Sequence, residues 1–195
     1  MKLSINKSMK FILTRHATTD WNLAGRIQGH TDISLNQQGR IEAEELAKVL
    51  SGLGIHLIVS SDLKRASETG DIISASLSVP SQLDTRLREC SSGDVEGLTK
   101  EQAVEKYGPS MESTWDDQYR AYDFRPFGGE HRDAVLARHM QALETLTSEQ
   151  PNKTLLLIGH GRGMRTLLAG LGHSPDLKRG EYRIIEYTHR KLGQA

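Results

Sequence analysis

Within its 195 residues the chain carries 25 basic and 25 acidic side chains, with a pI near 7.1. That balance gives no sign of a polyanionic partner such as nucleic acid or an acidic membrane surface, so any cationic patch must be local, as a small anionic ligand requires. A single cysteine, Cys90, excludes an internal disulfide and fits a reducing compartment. The length suits one domain with a small insertion, able to bury about 70% of its unfolded surface without staples. No apolar run approaches the roughly 20 residues of a membrane helix, and Met1 to Met9 lack the apolar stretch of a signal peptide. The expectation is a soluble cytoplasmic protein with no membrane partner. Residues 1–9 read as a flexible leader, with Met9 a candidate natural start.

Phe11-Ile12-Leu13 reads as a buried strand. A polar, Gly-containing loop from Thr18 to Ser34 follows. Asn36 then suits the N-cap of an amphipathic helix that presents Ile41, Leu46, Val49 and Leu50 on one face and stops at Gly52 and Gly54. His56 to Val59 is a second strand, followed by a helix over about 63–77 that ends before Pro80. The stretch 96–126, with Trp115, Pro109 and Pro126, has little strand character and reads as a helical insertion over one end of the sheet. A long helix over about 130–146 returns the chain to a central strand at Thr154 to Ile158. A helix over about 163–171 and a last strand at Glu181 to Thr188 complete the chain. Strands alternating with helices imply a mostly parallel sheet covered on both faces.

In such sheets ligands bind outside the carboxyl ends of the strands. Arg15 and His16 directly follow the first strand, Ser60, Ser61 and Arg65 the second, and His160 the third. Three strand ends thus place cations and imidazoles on one edge, and helix starts near Leu63 and Gly163 add N–H groups and a positive dipole end. The pattern describes an anion site. His30, His56, His131, His139, His173 and His189 lack this context and read as structural or solvated, His30 alone being close enough to serve as a rim residue.

Read at length, Thr14-Arg15-His16-Ala17-Thr18-Thr19-Asp20-Trp21-Asn22, then Gly25 to Asp32, then Ser60-Ser61-Asp62-Leu63-Lys64-Arg65-Ala66, resembles the histidine phosphatase superfamily, which contains cofactor-dependent phosphoglycerate mutase and its phosphatase relatives. Leu87-Arg88-Glu89, Gly93 to Gly97 and Gly159-His160-Gly161 continue the match in order. The resemblance implies a three-layer α/β/α sandwich with a helical insertion, about residues 90–130, over the active site of a single domain spanning residues 10–195. It implies that His16 attacks phosphorus to form a phosphohistidine. Arg15, Arg65 and His160 would hold the phosphoryl oxygens, and Glu89 would trade the proton with the leaving alkoxide and then water. Asn22, Gln28 and Gly161 would meet the substrate. No metal and no other cofactor is expected.

The chain departs from the family pattern in places. Ala17 stands where Gly is usual, which would be costly at positive φ, and Thr18 stands where Glu is frequent. Gly159 replaces a common Ser. The segment Cys90 to Val95 lacks aromatics often present, which predicts a wider, less apolar pocket. Arg162 is an extra cation that either faces a second acidic group on the substrate or is a solvated helix-start residue. Lys100, Arg120 and Arg125 are candidate selectivity cations. Ser92 at the tyrosine position of the mutases, and no Arg-Arg pair in the insertion, favour hydrolysis of a small phosphorylated metabolite over mutase activity. A catalytically silent phospho-ligand module and a protein phosphatase are the other readings, and a metallohydrolase lacks any cluster with ligand spacing. A homodimer is compatible with all of these.

Overall fold

The computed structural model describes residues 8–109, 111, 114 and 119–188; Trp115, His189 and the first seven residues of the expected leader lie outside the described residues. In chain order the elements are β1 (Ser8–Arg15), α1 (Asp20–Leu23), α2 (Gln37–Leu50), β2 (Leu57–Ser60), α3 (Lys64–Leu77), β3 (Ser81–Leu83), α4 (Lys100–Tyr107), α5 (Arg132–Glu149), β4 (Thr154–Gly159), α6 (Gly161–Gly170) and β5 (Tyr182–Thr188). The sheet order is β3-β2-β4-β1-β5. The first four of these strands run parallel, and β5 is antiparallel to β1.

Phe11, Ile12 and Leu13 are all fully buried because β1 is covered on both faces, which is why they form a continuous apolar run rather than an alternating one. Each such side chain contributes about 1.5–3 kcal/mol through burial. On one face, Phe11, Leu13, Leu155 and Leu157 pack against Leu143 and Leu146 of α5 and Leu167 of α6. On the other, Ile12, Ile58, Leu156 and Ile158 pack against Leu46, Ala47 and Leu50 of α2 and Ala66 and Ile73 of α3. These two clusters make three layers, α/β/α. A third cluster, with Ile27, Cys90, Val95, Tyr122, Phe124 and Val135, holds the insertion to the start of α5. No helix among the described residues is long and apolar enough to cross a membrane.

Three expectations need correction. The strand begins at Ser8, which pairs with Thr188, and Met9 is a core residue only 1% exposed, so neither belongs to a flexible leader. In α2 the N-cap is as expected, with Asn36 Oδ1 accepting from Gly39 N at 2.8 Å. Its core face, however, is Gly39, Ala43, Leu46, Ala47 and Leu50, while Ile41 and Val49 are exposed. The two alanines let the helix lie close to its neighbours, and bulk alone misidentifies the seam. β3 is not expected from the sequence because it has three residues, all exposed on the sheet edge, with Leu83 as its one apolar side chain.

The register sets up the site. Arg15 pairs with Gly159, and Ser60 with Ile158, so β1, β2 and β4 end level with one another. His16, Ser61 and His160 therefore leave the sheet side by side.

Candidate active site

His16 continues the β1 ladder by donating its backbone N–H to Gly159 O at 2.9 Å. Its ring Nδ1 lies 2.7 Å from Ala17 O, an acceptor only, so Nδ1 carries the proton and Nε2 keeps its lone pair. Burial, then the charge of Arg65, push the imidazole well below its ordinary pKa, so it is neutral at physiological pH. Ala17 does not strain the turn. The described non-glycine residues with positive φ are Ser78 and Asn152, and Ala17 is not one of them. Its methyl packs with Leu35 and Ala43, and its N–H donates to Thr69 Oγ1 at 3.1 Å.

Arg65 comes from the first turn of α3 and is fully buried. Its Nε donates to His160 Nδ1 at 3.1 Å, Nη1 to Thr31 O at 2.8 Å and Nη2 to Gly29 O at 2.7 Å. The first bond puts the His160 proton on Nε2, a buried atom with no protein partner. The rings of His16 and His160 stand 5.1 Å apart. Burial lowers both Arg65 and Arg15 to about 10, so both remain cations at neutral pH. Arg15 reaches the first turn of α6 so closely that a Cβ at Gly161 would lie 2.7 Å from its Nη2. The lack of a side chain at Gly161 therefore leaves room for the Arg15 guanidinium.

Glu89 sits at the start of α6. Its carboxylate accepts N–H bonds from Gly163 at 2.8 Å, Cys90 at 3.0 Å and Arg162 at 3.1 Å. Burial pushes its pKa up, but these amides and the Arg162 charge outweigh it and hold the group below the ordinary glutamate value. Without an anion beside it, Glu89 is ionised. Behind it, Arg138 of α5 donates to the carbonyls of Arg86, Arg88 and Glu89 and pairs with Glu130 at 2.9 Å. Glu96 locks the opposite wall by accepting from the N–H groups of His30, Thr31 and Ser92 and from Thr31 Oγ1. That closeness requires Gly29, whose added Cβ would fall 2.0 Å from the Glu96 carboxylate.

Arg15, His16, Asn22, Gln28, Arg65, Glu89 and Gly161 all line one cavity of about 220 Å³. His160 stands against His16, fully buried. Asn22 Oδ1 caps α1 by accepting from Thr19 N at 3.1 Å, while Gln28 Oε1 is buried with no protein partner. Ser92 also lines the cavity. His30 is not a lining residue, its Nε2 being 2.8 Å from Glu89 O. Of the expected selectivity cations, Arg125 is tied to Asp123 on the surface at 2.7 Å, and neither Lys100 nor Arg120 lines the cavity. Arg26, Arg162 and Arg165 do. Arg26, Arg165, Arg138 and Glu96 are not identifiable from the sequence, because an arginine or glutamate on a helix or loop carries no sign of where its head group lies. No cluster of His, Cys, Asp or Glu among the described residues is arranged to hold a metal ion.

A neutral imidazole with a free Nε2, two guanidinium groups and a carboxylate around one small cavity, with the His160 ring against that of His16, are the parts of an anion-transfer site. The model of the histidine phosphatase superfamily (branch 1) matches residues 11–190. The glucosyl-3-phosphoglycerate phosphatase of Mycobacterium tuberculosis is 32% identical over 173 residues, covering 85% of this chain and 76% of its own. The 2,3-bisphosphoglycerate-dependent phosphoglycerate mutase of Bradyrhizobium diazoefficiens is 34% identical over 164 residues, covering 80% and 78%. Among solved structures, Bacillus stearothermophilus YhfR superposes with a TM-score of 0.80 at 28% identity, covering 94% of this chain and 96% of that one. The chain belongs to the histidine phosphatase superfamily. It is a phosphatase of that superfamily.

Proposed function

We propose that the chain hydrolyses a small phosphorylated metabolite without a metal, through a phosphohistidine on His16. The observation that carries this reading is the state of His16: neutral, its Nδ1–H tied to Ala17 O, its Nε2 left as the nucleophile in an arginine-lined cavity. Nε2 attacks phosphorus while the bond to the ester oxygen breaks, and Glu89, carrying a proton, gives it to the departing alkoxide. Water then attacks phosphorus, the P–N bond breaks, and Glu89 takes the water proton, releasing phosphate. Arg15, Arg65 and the His160 Nε2–H offset the charge on the transferring group. Because Glu89 is ionised in the free site, it gains its proton as the substrate binds: from the ester when this binds as its monoanion, or from solvent when a phosphate dianion beside it raises its pKa.

The mutase reading draws on the likeness to the Bradyrhizobium protein. Hydrolysis is favoured by Ser92, which lines the cavity at the position of the mutase tyrosine and leaves room for water. A silent binding module has little support, since Ala17 introduces no strain. The single cysteine and balanced charge support a cytoplasmic setting.

Rapid-quench labelling with a phosphorylated aryl ester tests the reading. An acid-labile, base-stable phosphoenzyme should form and be absent in His16→Ala, together with all phosphate release. Turnover at the wild-type rate in His16→Ala would exclude the mechanism.

A further inference from the structure

The site has a phosphoryl end that Arg65 serves and a proton-transfer end at Glu89, and the two come from separate segments of the chain. Gly29-His30-Thr31 touches both. The carbonyls on either side of His30 accept from Arg65, Gly29 O from Nη2 at 2.7 Å and Thr31 O from Nη1 at 2.8 Å. The His30 ring reaches the other way, with Nε2 2.8 Å from Glu89 O. A carbonyl only accepts, so Nε2 carries the hydrogen and donates it. Glu130 Oε2 lies farther from that nitrogen, at 3.8 Å, and already accepts from Ser91 N at 2.8 Å and Arg138 Nη2 at 2.9 Å. The root of the ring is fixed too, because His30 N donates to Glu96 Oε1 at 2.9 Å, the oxygen that also accepts from Ser92 N.

Glu89 O accepts a second bond, from Arg138 Nη2 at 2.8 Å. Its two donors stand in different parts of the fold. Arg138 ties the Glu89 segment to α5, whereas His30 ties it to the loop that holds Arg65. The His30 bond is the one that joins the two ends directly. We propose that His30 is a positioning residue: by pinning the Glu89 carbonyl to the loop that holds Arg65, it sets the Glu89 carboxyl relative to the phosphoryl group. This deepens the phosphatase reading and rests on it. A displaced proton donor is felt where the leaving oxygen needs a proton, and little where that oxygen departs as a stable anion.

Two variants test this. His30→Phe keeps a ring and removes the donor, and His30→Gln keeps an amide N–H at about the reach of Nε2. Steady-state rates are read on para-nitrophenyl, phenyl and glycerol phosphate, in order of increasing leaving-group basicity. On the most basic leaving group turned over, His30→Phe should lose about five- to tenfold in kcat, the size of one hydrogen bond. The loss should shrink along the series toward para-nitrophenyl phosphate, and His30→Gln should recover most of it. Competitive inhibition by inorganic phosphate, which reads the Arg65 end, should stay within about twofold of wild type. In a Glu89→Gln background, His30→Phe should add no further dependence on the leaving group, because the group it positions is gone. A merely structural role would instead slow every ester alike and weaken phosphate in both backgrounds. That result, or an unchanged kcat in His30→Phe, overturns the proposal. If His30→Phe does not fold, His30→Ala, which adds no bulk, carries the same comparison. Wild-type turnover with a loss independent of the leaving group removes the role of His30 alone. No wild-type hydrolysis of any of the three esters removes the phosphatase reading itself.

Discussion

Arg65 Nε donates to His160 Nδ1 at 3.1 Å, and this bond decides which nitrogen of His160 carries its proton. Because the same guanidinium holds Thr31 O and Gly29 O, it joins the end of β4 to the loop that Glu96 clamps. In Arg65→Gln, His160 is free to move its proton to Nδ1, and one cation leaves the phosphoryl end. The expected loss in kcat is about 10²-fold or more, typical for removal of a transition-state donor. Nitrogen NMR of the imidazoles should show the Nδ1–H tautomer of His160 appearing in the variant. An unchanged tautomer with a kcat within a few-fold of wild type would contradict this account.

Three histidines are buried and neutral: His16 and His160 sit well below the ordinary pKa, and burial, then the charge of Arg138, lowers His139 to about 4. Each gains a proton near pH 6.5 when the chain unfolds but not while it is folded. The unfolded state then binds more protons, so stability falls as pH drops below about 6.5, by about 1.4 kcal/mol per pH unit for each group. For His139 the loss continues down to its folded value near 4. Denaturation midpoints measured from pH 7 to 5 should decline steeply, and His139→Leu should reduce the slope by one proton's worth. A flat profile would mean that these rings are charged in the folded protein.

In the proposed mechanism Glu89 is the group whose contribution depends most on the leaving group. Glu89→Gln keeps the size and removes the exchangeable proton. Alkyl phosphates, whose alkoxides need that proton, should lose about 10²–10⁴-fold in kcat, and activated aryl phosphates far less. The wild-type kcat/KM for alkyl esters should fall above about pH 6, where the ester loses its own proton, because Glu89 in the free site is already ionised. That fall should flatten in Glu89→Gln. Equal losses on both ester classes would remove the proton-transfer role.

The strand ends were legible in the sequence because their logic needs only chain order. Once β1, β2 and β4 are parallel, His16, Arg65 and His160 share an edge, and the register of Arg15 with Gly159 brings that about. Elements with a strong apolar or capping signal were legible too, such as the strand around Leu155 and the Asn36 cap. What stayed hidden is carried by long polar side chains. Nothing in the sequence sets Arg138 apart from a solvated helix charge, yet it holds three carbonyls of the Glu89 segment. Its direction depends on which face of α5 meets that segment, and the buried face, Val135, His139, Ala142, Leu143, Leu146 and Thr147, mixes polar with apolar residues and so is weakly marked in the sequence. Arg26 and Arg165 were hidden for the same reason.

Ala17 tests how much the family's usual glycine matters. The turn has no positive φ at this position, and the methyl is buried beside Leu35 and Ala43. Ala17→Gly should therefore leave kcat within about twofold while costing roughly 0.5–1 kcal/mol in stability from added chain entropy and lost packing. Urea titration and steady-state rates check both halves. A large gain in kcat would mean that the alanine constrains His16 after all.

Gly161 is the converse case, a glycine demanded by its neighbour. An added Cβ would lie 2.7 Å from Arg15 Nη2 and 3.1 Å from Cζ, too close for either to stay. The backbone there starts α6 with helical geometry, so Gly161→Ala meets no φ penalty, and the strain falls on the guanidinium. That end of Arg15 is its flexible part, but its Nη1 is held to Leu177 O at 3.3 Å and its Nε is buried, so it moves by leaving the phosphoryl end. The fold should hold, with a denaturation midpoint close to wild type. Phosphate, as a competitive inhibitor, should bind about tenfold more weakly, the loss expected for one charge-assisted contact, and kcat should fall with it. Arg15→Lys provides the comparison: if Gly161→Ala acts by displacing Arg15, combining the two changes costs little more than the worse of them. Full additivity of the two losses would show that Gly161 serves the site by some route other than Arg15.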